Sequence, residues 1–288
     1  MLTNILKRIW NDRSSNGWFF AELFIVFVIL WYVIDFLFAT LYVSHEPKGY
    51  DTRHVYHVTI GVNPVIRAEY HGKEEWTNTY LQVYRIIKEY PGVESATYYA
   101  GTIPYVKGGM FQGYTVDSTH VFAAYIRMVN KDFFDVFKVQ MLDANLSEWD
   151  IISYPRAAVL SIDLADSLFH GKQKLSSFFK DYYSPEKKYN IGGITPRTKL
   201  TEYERYQPFI YVPTEDWMMQ YISPSIAVRV KPEMEEGFMD RFMVDMRDKL
   251  NIGPFYFSQI QSYDENKEIH DTSINNYIRT SVAVLLFF

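Results

Sequence analysis

Polar and apolar residues alternate over "VYHVTIGV", where Tyr56, Val58, Ile60 and Val62 share one face and His57, Thr59 and Gly61 the other. That is the period of a half-buried strand. In "KEEWTNTYLQVYRIIKEYPG" the spacing changes: Trp76, Tyr80, Val83 and Ile87 fall on one helical face, acids occupy the first turn and Pro91-Gly92 ends the run. "VESATYYAG" returns to a strand. The same unit recurs late in the chain, with "SIAVRV", then a helix carrying Phe238, Phe242, Met246 and Leu250 and stopping at Asn251 and Gly253, then "PFYFSQI". Between the two units lie short strand candidates, "AYIRMV", "AAVL", "YNIGGI" and "PFIYVP", with "KDFFDVF" as a helical turn and "IDLADSLF" as a short helix.

Two further runs are apolar on every side. Trp18 to Val43 spans 26 residues, roughly 39 Å as a helix, enough to cross a hydrocarbon core of about 30 Å. Seventeen Leu, Ile, Phe and Val residues contribute on the order of -7 kcal/mol to insertion, against about +3 for Asp35 and less for Glu22 near the edge. The run is too long for a signal peptide and has no small-x-small cleavage site, so it reads as an uncleaved anchor. Asp35 is either wetted at the outer interface or packed against a partner helix in a coupling role. Lys7, Arg8 and Arg13 outnumber Lys48 and Arg53, which favours a cytoplasmic N-terminus. The second apolar run closes the sequence, where "NYIRTSVAVLLFF" reads as the chain re-entering the membrane early in a second span.

The predicted fold class is therefore α+β: a membrane-anchored, two-lobed extracytoplasmic domain with strand-helix-strand halves at both ends and an inserted, mostly β lobe. Residues 1–17 form a cytoplasmic amphipathic start, 18–43 a transmembrane helix and 44–273 the extracytoplasmic domain. Within that domain one lobe comprises 44–118 and 214–262, and the inserted lobe 119–213. Residues 274–288 begin the second span. In the start, Ile5, Leu6, Ile9 and Trp10 interleave with Lys7 and Arg8, as an interfacial helix or as a simple basic flank.

Composition narrows the chemistry. The 288 residues are 48% apolar and 22% charged, enough to bury a core. A net charge of -5 without a basic stripe argues against nucleic acid as a partner. The absence of cysteine removes disulfides, thiol catalysis and Cys-type zinc sites. "GGMFQG" has the glycine spacing of a phosphate loop, but Tyr114 stands where lysine is required. Ser161 lies between strand and helix without a Gly-x-Ser-x-Gly elbow and reads as an N-cap. His54 and His57 fall on opposite faces of a strand. "DENKEIHD" lacks the glycine and twelfth-position glutamate of a calcium loop and reads as a solvated loop. The late methionines, Met218 to Met246, read as core. No catalytic, cofactor or metal constellation emerges.

Taken in order, the basic start and first span, "MVNKDFFDVF", "AAVLSIDLADSLFHG", "YNIGGI", "PFIYVP" and the final apolar run resemble the MacB/FtsX-like family of ABC transporter permeases, with its MacB-like periplasmic core domain. Asn130, Phe133, Phe134, Phe137, Leu168, Phe169, Gly192, Gly193, Tyr211 and Pro213 occupy the family's places. The chain departs from the family at "QMLDANLSEWD", where a Gly-Arg turn is common, and at "KLSSFFKD". The resemblance implies an inner-membrane permease subunit that hydrolyses no ATP itself. It would work as a homo- or heterodimer in membrane lipid, with a cytoplasmic ABC ATPase as its partner and its external domain moved by ATP hydrolysis. Asp35, Ile5, Ile9 and Trp10 are then candidates for coupling or helix packing. A two-span receptor with a ligand-sensing external domain stays open, as does an anchored extracellular enzyme.

Overall fold

The computed structural model describes residues 13–287, excepting 70–71, 103, 106–108, 118, 148, 150–154, 172–174, 176, 216–218 and 220–224. In chain order the elements are α1 (Arg13–His45), β1 (Val55–Val62), α2 (Pro64–Glu69), α3 (Lys73–Lys88), β2 (Val93–Gly101), β3 (Phe111–Thr115), β4 (Phe122–Val129) and α4 (Phe133–Val136), then β5 (Asp143–Ala144), β6 (Arg156–Ser161), α5 (Ile162–Phe169), β7 (Phe178–Asp181), β8 (Lys188–Thr195), β9 (Phe209–Pro213), β10 (Ser225–Val230), α6 (Phe238–Lys249), β11 (Phe255–Ser262) and α7 (Tyr263–Phe287). The chain divides into two units, one of residues 1–46 with 271–288 and one of residues 47–270.

In the first unit, α1 carries a stretch from Gly17 to His45 that is long and apolar enough to cross a membrane. Its large side chains, Trp18, Phe24 and Trp31 among them, are exposed, as a lipid-facing helix requires.

In the second unit the two strand-helix-strand ends interleave. The strand order β11-β1-β10-β2 is antiparallel throughout, with β1 on β10 and β11, and β2 on β10. This is the split β-α-β arrangement of ferredoxin-like folds, with residues 102–224 inserted between β2 and β10. Helices α3 and α6 cover one face, and Trp76, Tyr80, Val83, Ile87, Phe242, Met246 and Leu250 join Val58, Ile226 and Val228 in one core. Burial of each such side chain contributes about 2 kcal/mol. Met219 also lies in this core, with Met239 and Met243 packed against it, whereas Met234 is exposed and Met218 lies outside the described residues.

The insert closes on itself. Strand β4 pairs with β2 and β3 along one edge and, in parallel, with β9 along the other. Following the pairings β4-β3-β7-β8-β6-β9 returns to β4, so six strands form a ring. Every strand of the ring contributes to one core, through Tyr114, Ile126, Leu160, Phe179, Ile191 and Ile210, and Leu164 and Leu168 of α5 pack into it. The ring takes in β3, upstream of residue 119, and β4 makes it continuous with the outer strands. A third core joins the far face of that sheet to α4 and contains Tyr99, Val129, Phe133, Phe137, Tyr211, Ala227 and Tyr263.

Two local expectations come out differently. Ser161 does sit at the N-cap position of α5 but makes no capping bond. Its hydroxyl accepts from the Phe209 amide at 2.8 Å and reaches the Phe209 carbonyl at 3.3 Å, tying β6 to β9. "DENKEIHD" is the start of α7 rather than a loop. Ser262 and Glu265 form a reciprocal cap, with the Glu265 amide donating to Ser262 Oγ at 3.1 Å and the Ser262 amide to Glu265 Oε2 at 3.3 Å, which starts the helix eleven residues before Ile274.

Candidate functional site

Residues 47–54, which follow α1 in the chain, are fastened to the β domain at almost every step. The Lys199 amide donates to the Lys48 carbonyl at 3.1 Å, Tyr50 Oη to the Leu200 carbonyl at 2.9 Å and the Asp51 amide to the Phe137 carbonyl at 2.7 Å. Gly49, at φ 85°, passes so close to the Arg197 carbonyl that a Cβ would lie 2.8 Å from it; a side chain does not fit there. From β10, Arg229 donates to the carbonyls of Val136, Arg53 and Asp51 at 2.6, 2.8 and 2.8 Å. Its guanidinium is buried and satisfied by backbone oxygens.

The first turns of α7 are fastened to the same domain. Tyr263 is fully buried, with its hydroxyl bonded to that of Tyr99 and its ring edge-to-face against Phe137 at 5.5 Å. Glu202, in the loop from β8 to β9, joins the two fastened segments. It accepts from Lys48 Nζ at 3.0 Å and from Lys267 Nζ at 2.8 Å. Lys48 Nζ also donates to Tyr105 Oη at 2.9 Å, and the Tyr105 ring meets His270 edge-to-face at 6.3 Å. Burial works to raise the Glu202 carboxyl, but the hydrogen bonds from Lys267 and Lys48 outweigh it and hold the group below the usual glutamate range. Glu202 is therefore ionised at neutral pH, a charge shared between two lysines 219 positions apart in sequence.

The residues singled out by sequence pattern are positioned as framework. Asn130 accepts from Thr97 Oγ1 at 2.5 Å, donates to Tyr84 Oη at 3.2 Å, and its carbonyl takes the Phe133 amide at 3.2 Å, setting the turn into α4. The Phe133 and Phe137 rings pack tilted at 4.6 Å and Phe134 meets Trp149 at 5.3 Å, so α4 is an aromatic plug beneath the Arg229 clamp. Gly192 and Gly193 let β5 and β6 close on β8: added Cβ atoms would lie 3.0 Å from Ala157 Cβ and 3.1 Å from Val159 Cγ2. Pro213 ends β9 opposite Val129. Asp35 is exposed on α1. Ile5, Ile9 and Trp10 lie outside the described residues.

Residues 26–239 match the MacB-like periplasmic core domain. The chain belongs to this family. The periplasmic region of MacB from Actinobacillus actinomycetemcomitans superposes with a TM-score of 0.50 at 13% identity, over 79% of this chain and 96% of that one. The extracellular domain of the noncanonic ABC-type transporter YknZ from Gram-positive bacteria gives 0.43 at 12% identity, over 71% and 100%. No curated protein matches.

As a MacB-like periplasmic core domain preceded by an apolar helix, this is a membrane-anchored protein with an extracytoplasmic domain. The family phrases contain none of Lys48, Glu202 and Lys267, whose bridge has no local signature because its members come from three distant segments. Arg127 and Arg229 do carry a signal, a lone cation in an otherwise apolar strand.

Proposed function

We propose that the chain belongs to a permease subunit of an ABC-type export or mechanotransmission system. The N-terminus is cytoplasmic, the main domain lies outside the inner membrane, and the subunit pairs with a second permease copy or a homologue. A separate cytoplasmic ABC ATPase supplies the energy, and the external domain converts it into movement outside the cell membrane. Family membership supports a permease-type role, and the observation that carries the coupling is Glu202 bridging Lys48 and Lys267. One segment follows the first apolar helix and the other begins the last, so a single carboxylate of the ring loop ties the two together.

The test uses the permease assembled with its ATPase in proteoliposomes. Because residues 1–288 contain no cysteine, Val244→Cys at an exposed position of α6 places one spin label within them, with any cysteine elsewhere in the assembly replaced first. ATP should change the distance between labels on the two permease subunits. Glu202→Gln, which keeps the shape but removes the charge, should reduce that change about fivefold or more while ATP hydrolysis continues. An undiminished change in Glu202→Gln sinks the coupling reading.

A further inference from the structure

A cavity of about 720 Å³ opens beside the fastened segment, beginning at Pro47, two residues past the end of α1. Its size lies within the range of small-molecule sites. Three cations reach it from three separate stretches: Lys48, Lys138 just after α4, and Arg197 in the loop after β8. The acid in the lining is Asp51, and its carboxylate is already engaged by Arg53 at 2.7 Å. Lys48 is balanced by Glu202. Lys138 and Arg197 make no ion pair with any described residue, so two positive charges face the cavity without a counterion.

Lys138 carries a second signal. It adopts the left-handed conformation, φ 46°, at the position after a helix where glycine ordinarily sits because it has no Cβ to clash. The exposed side chain gains no packing in return for that strain, and such strain is kept where a side chain is needed at one place. The remaining lining includes the apolar side chains of Leu142, Ile162 and Pro196.

We propose that this cavity binds a phosphate-bearing anion, with Lys138 and Arg197 on the phosphate oxygens and the apolar lining side chains against any group that the phosphate carries. An arginine fork and a lysine ammonium are the side chains that hold a phosphate best. The two sources of that chemistry are the headgroup of an anionic lipid and free phosphate. This binding is independent of the coupling through Glu202, so either can fail alone.

The full chain in neutral detergent is titrated at low salt with dihexanoyl phosphatidylglycerol, dihexanoyl phosphatidylcholine and inorganic phosphate, and binding is followed by calorimetry. Phosphatidylglycerol should bind, phosphatidylcholine about tenfold or more weakly, and Lys138→Gln with Arg197→Gln should weaken phosphatidylglycerol about tenfold. Lys231→Gln, at an exposed site away from the cavity, should change nothing. Phosphate binding as tightly as phosphatidylglycerol supports the anion site and assigns it to the free ion. Equal affinity for both lipids, unmoved by salt and by the double substitution, overturns the proposal. Thermal unfolding of the double variant at the wild-type temperature confirms that it is folded, and loss of phosphatidylglycerol binding by wild type in high salt tests the same claim without any substitution.

Discussion

Arg127 and Arg229 stand in apolar strands where valine would pack, and the two are satisfied differently. Arg127 lies 4.2 Å over the Phe209 ring, donates to the Thr102 carbonyl at 3.1 Å and to Tyr211 Oη at 3.1 Å, and leaves Nη2 without a protein partner among the described residues. Aromatic faces take the place of a carboxylate, each worth up to about 2 kcal/mol when dry. Arg229 relies on three carbonyl oxygens instead, and those oxygens belong to two segments far apart in sequence, residues 51–53 and Val136. Arg229→Ala should therefore cost at least about 3 kcal/mol, because it leaves buried acceptors unmet as well as a void. Urea unfolding of the purified chain measures this, and a loss under about 1 kcal/mol would show that water replaces the guanidinium at little cost.

At the level of elements, the cap on α7 is a separable feature. Ser262→Ala removes the hydroxyl that accepts the Glu265 amide and should destabilise the first turn by about 1 kcal/mol. Hydrogen exchange at residues 263–267 should speed up about fivefold, with amides of α6 unchanged; an unaltered rate would mean that Tyr263 packing alone holds the turn. The same Ser-x-x-Glu spacing was present in the sequence at 262–265, hidden by the polarity of the residues after it. Strands β1, β2, β10 and β11 and helices α3, α5 and α6 were legible from the apolar residues in their sequences, although β10 is buried on both faces. Strands β3 and β7 were not: each is short, and each begins on an exposed aromatic, Phe111 and Phe178. Closure of the ring was invisible for another reason, since periodicity reports a buried face and not which strand, such as β9 beside β4, will cover its edge. Of the junction, Arg229 alone carries a mark in the sequence, a charge out of pattern in an apolar strand, and a reading by periodicity passes over it.

For the whole molecule, acid is the expected weak point. Burial lowers His57 from 6.5 to about 4, so below pH 6.5 the unfolded chain takes up a proton that the folded chain refuses. Stability should fall as pH drops from about 6.5 to about 4. Asp51, held down to about 2 chiefly by the Arg53 hydrogen bond, and Glu202 add losses at lower pH, because depressed carboxyls stabilise only above their unfolded values. His57→Gln should flatten the upper part of the curve in thermal unfolding scans; an unchanged slope there would place the titration elsewhere. The interleaved strand order also fixes a sequence in time. Strand β1 pairs only with β10 and β11 among the described strands, and β10 begins more than 160 residues after β1 ends. At ordinary rates of synthesis that is about 10 to 30 s, during which "VYHVTIGV" has left the ribosome without its neighbours while the ring, complete by Pro213, is free to close. The late strands then slot in on either side of a strand that has waited, so the earliest part of the domain to be made is among the last to be sheltered, and a holding chaperone has most to do there.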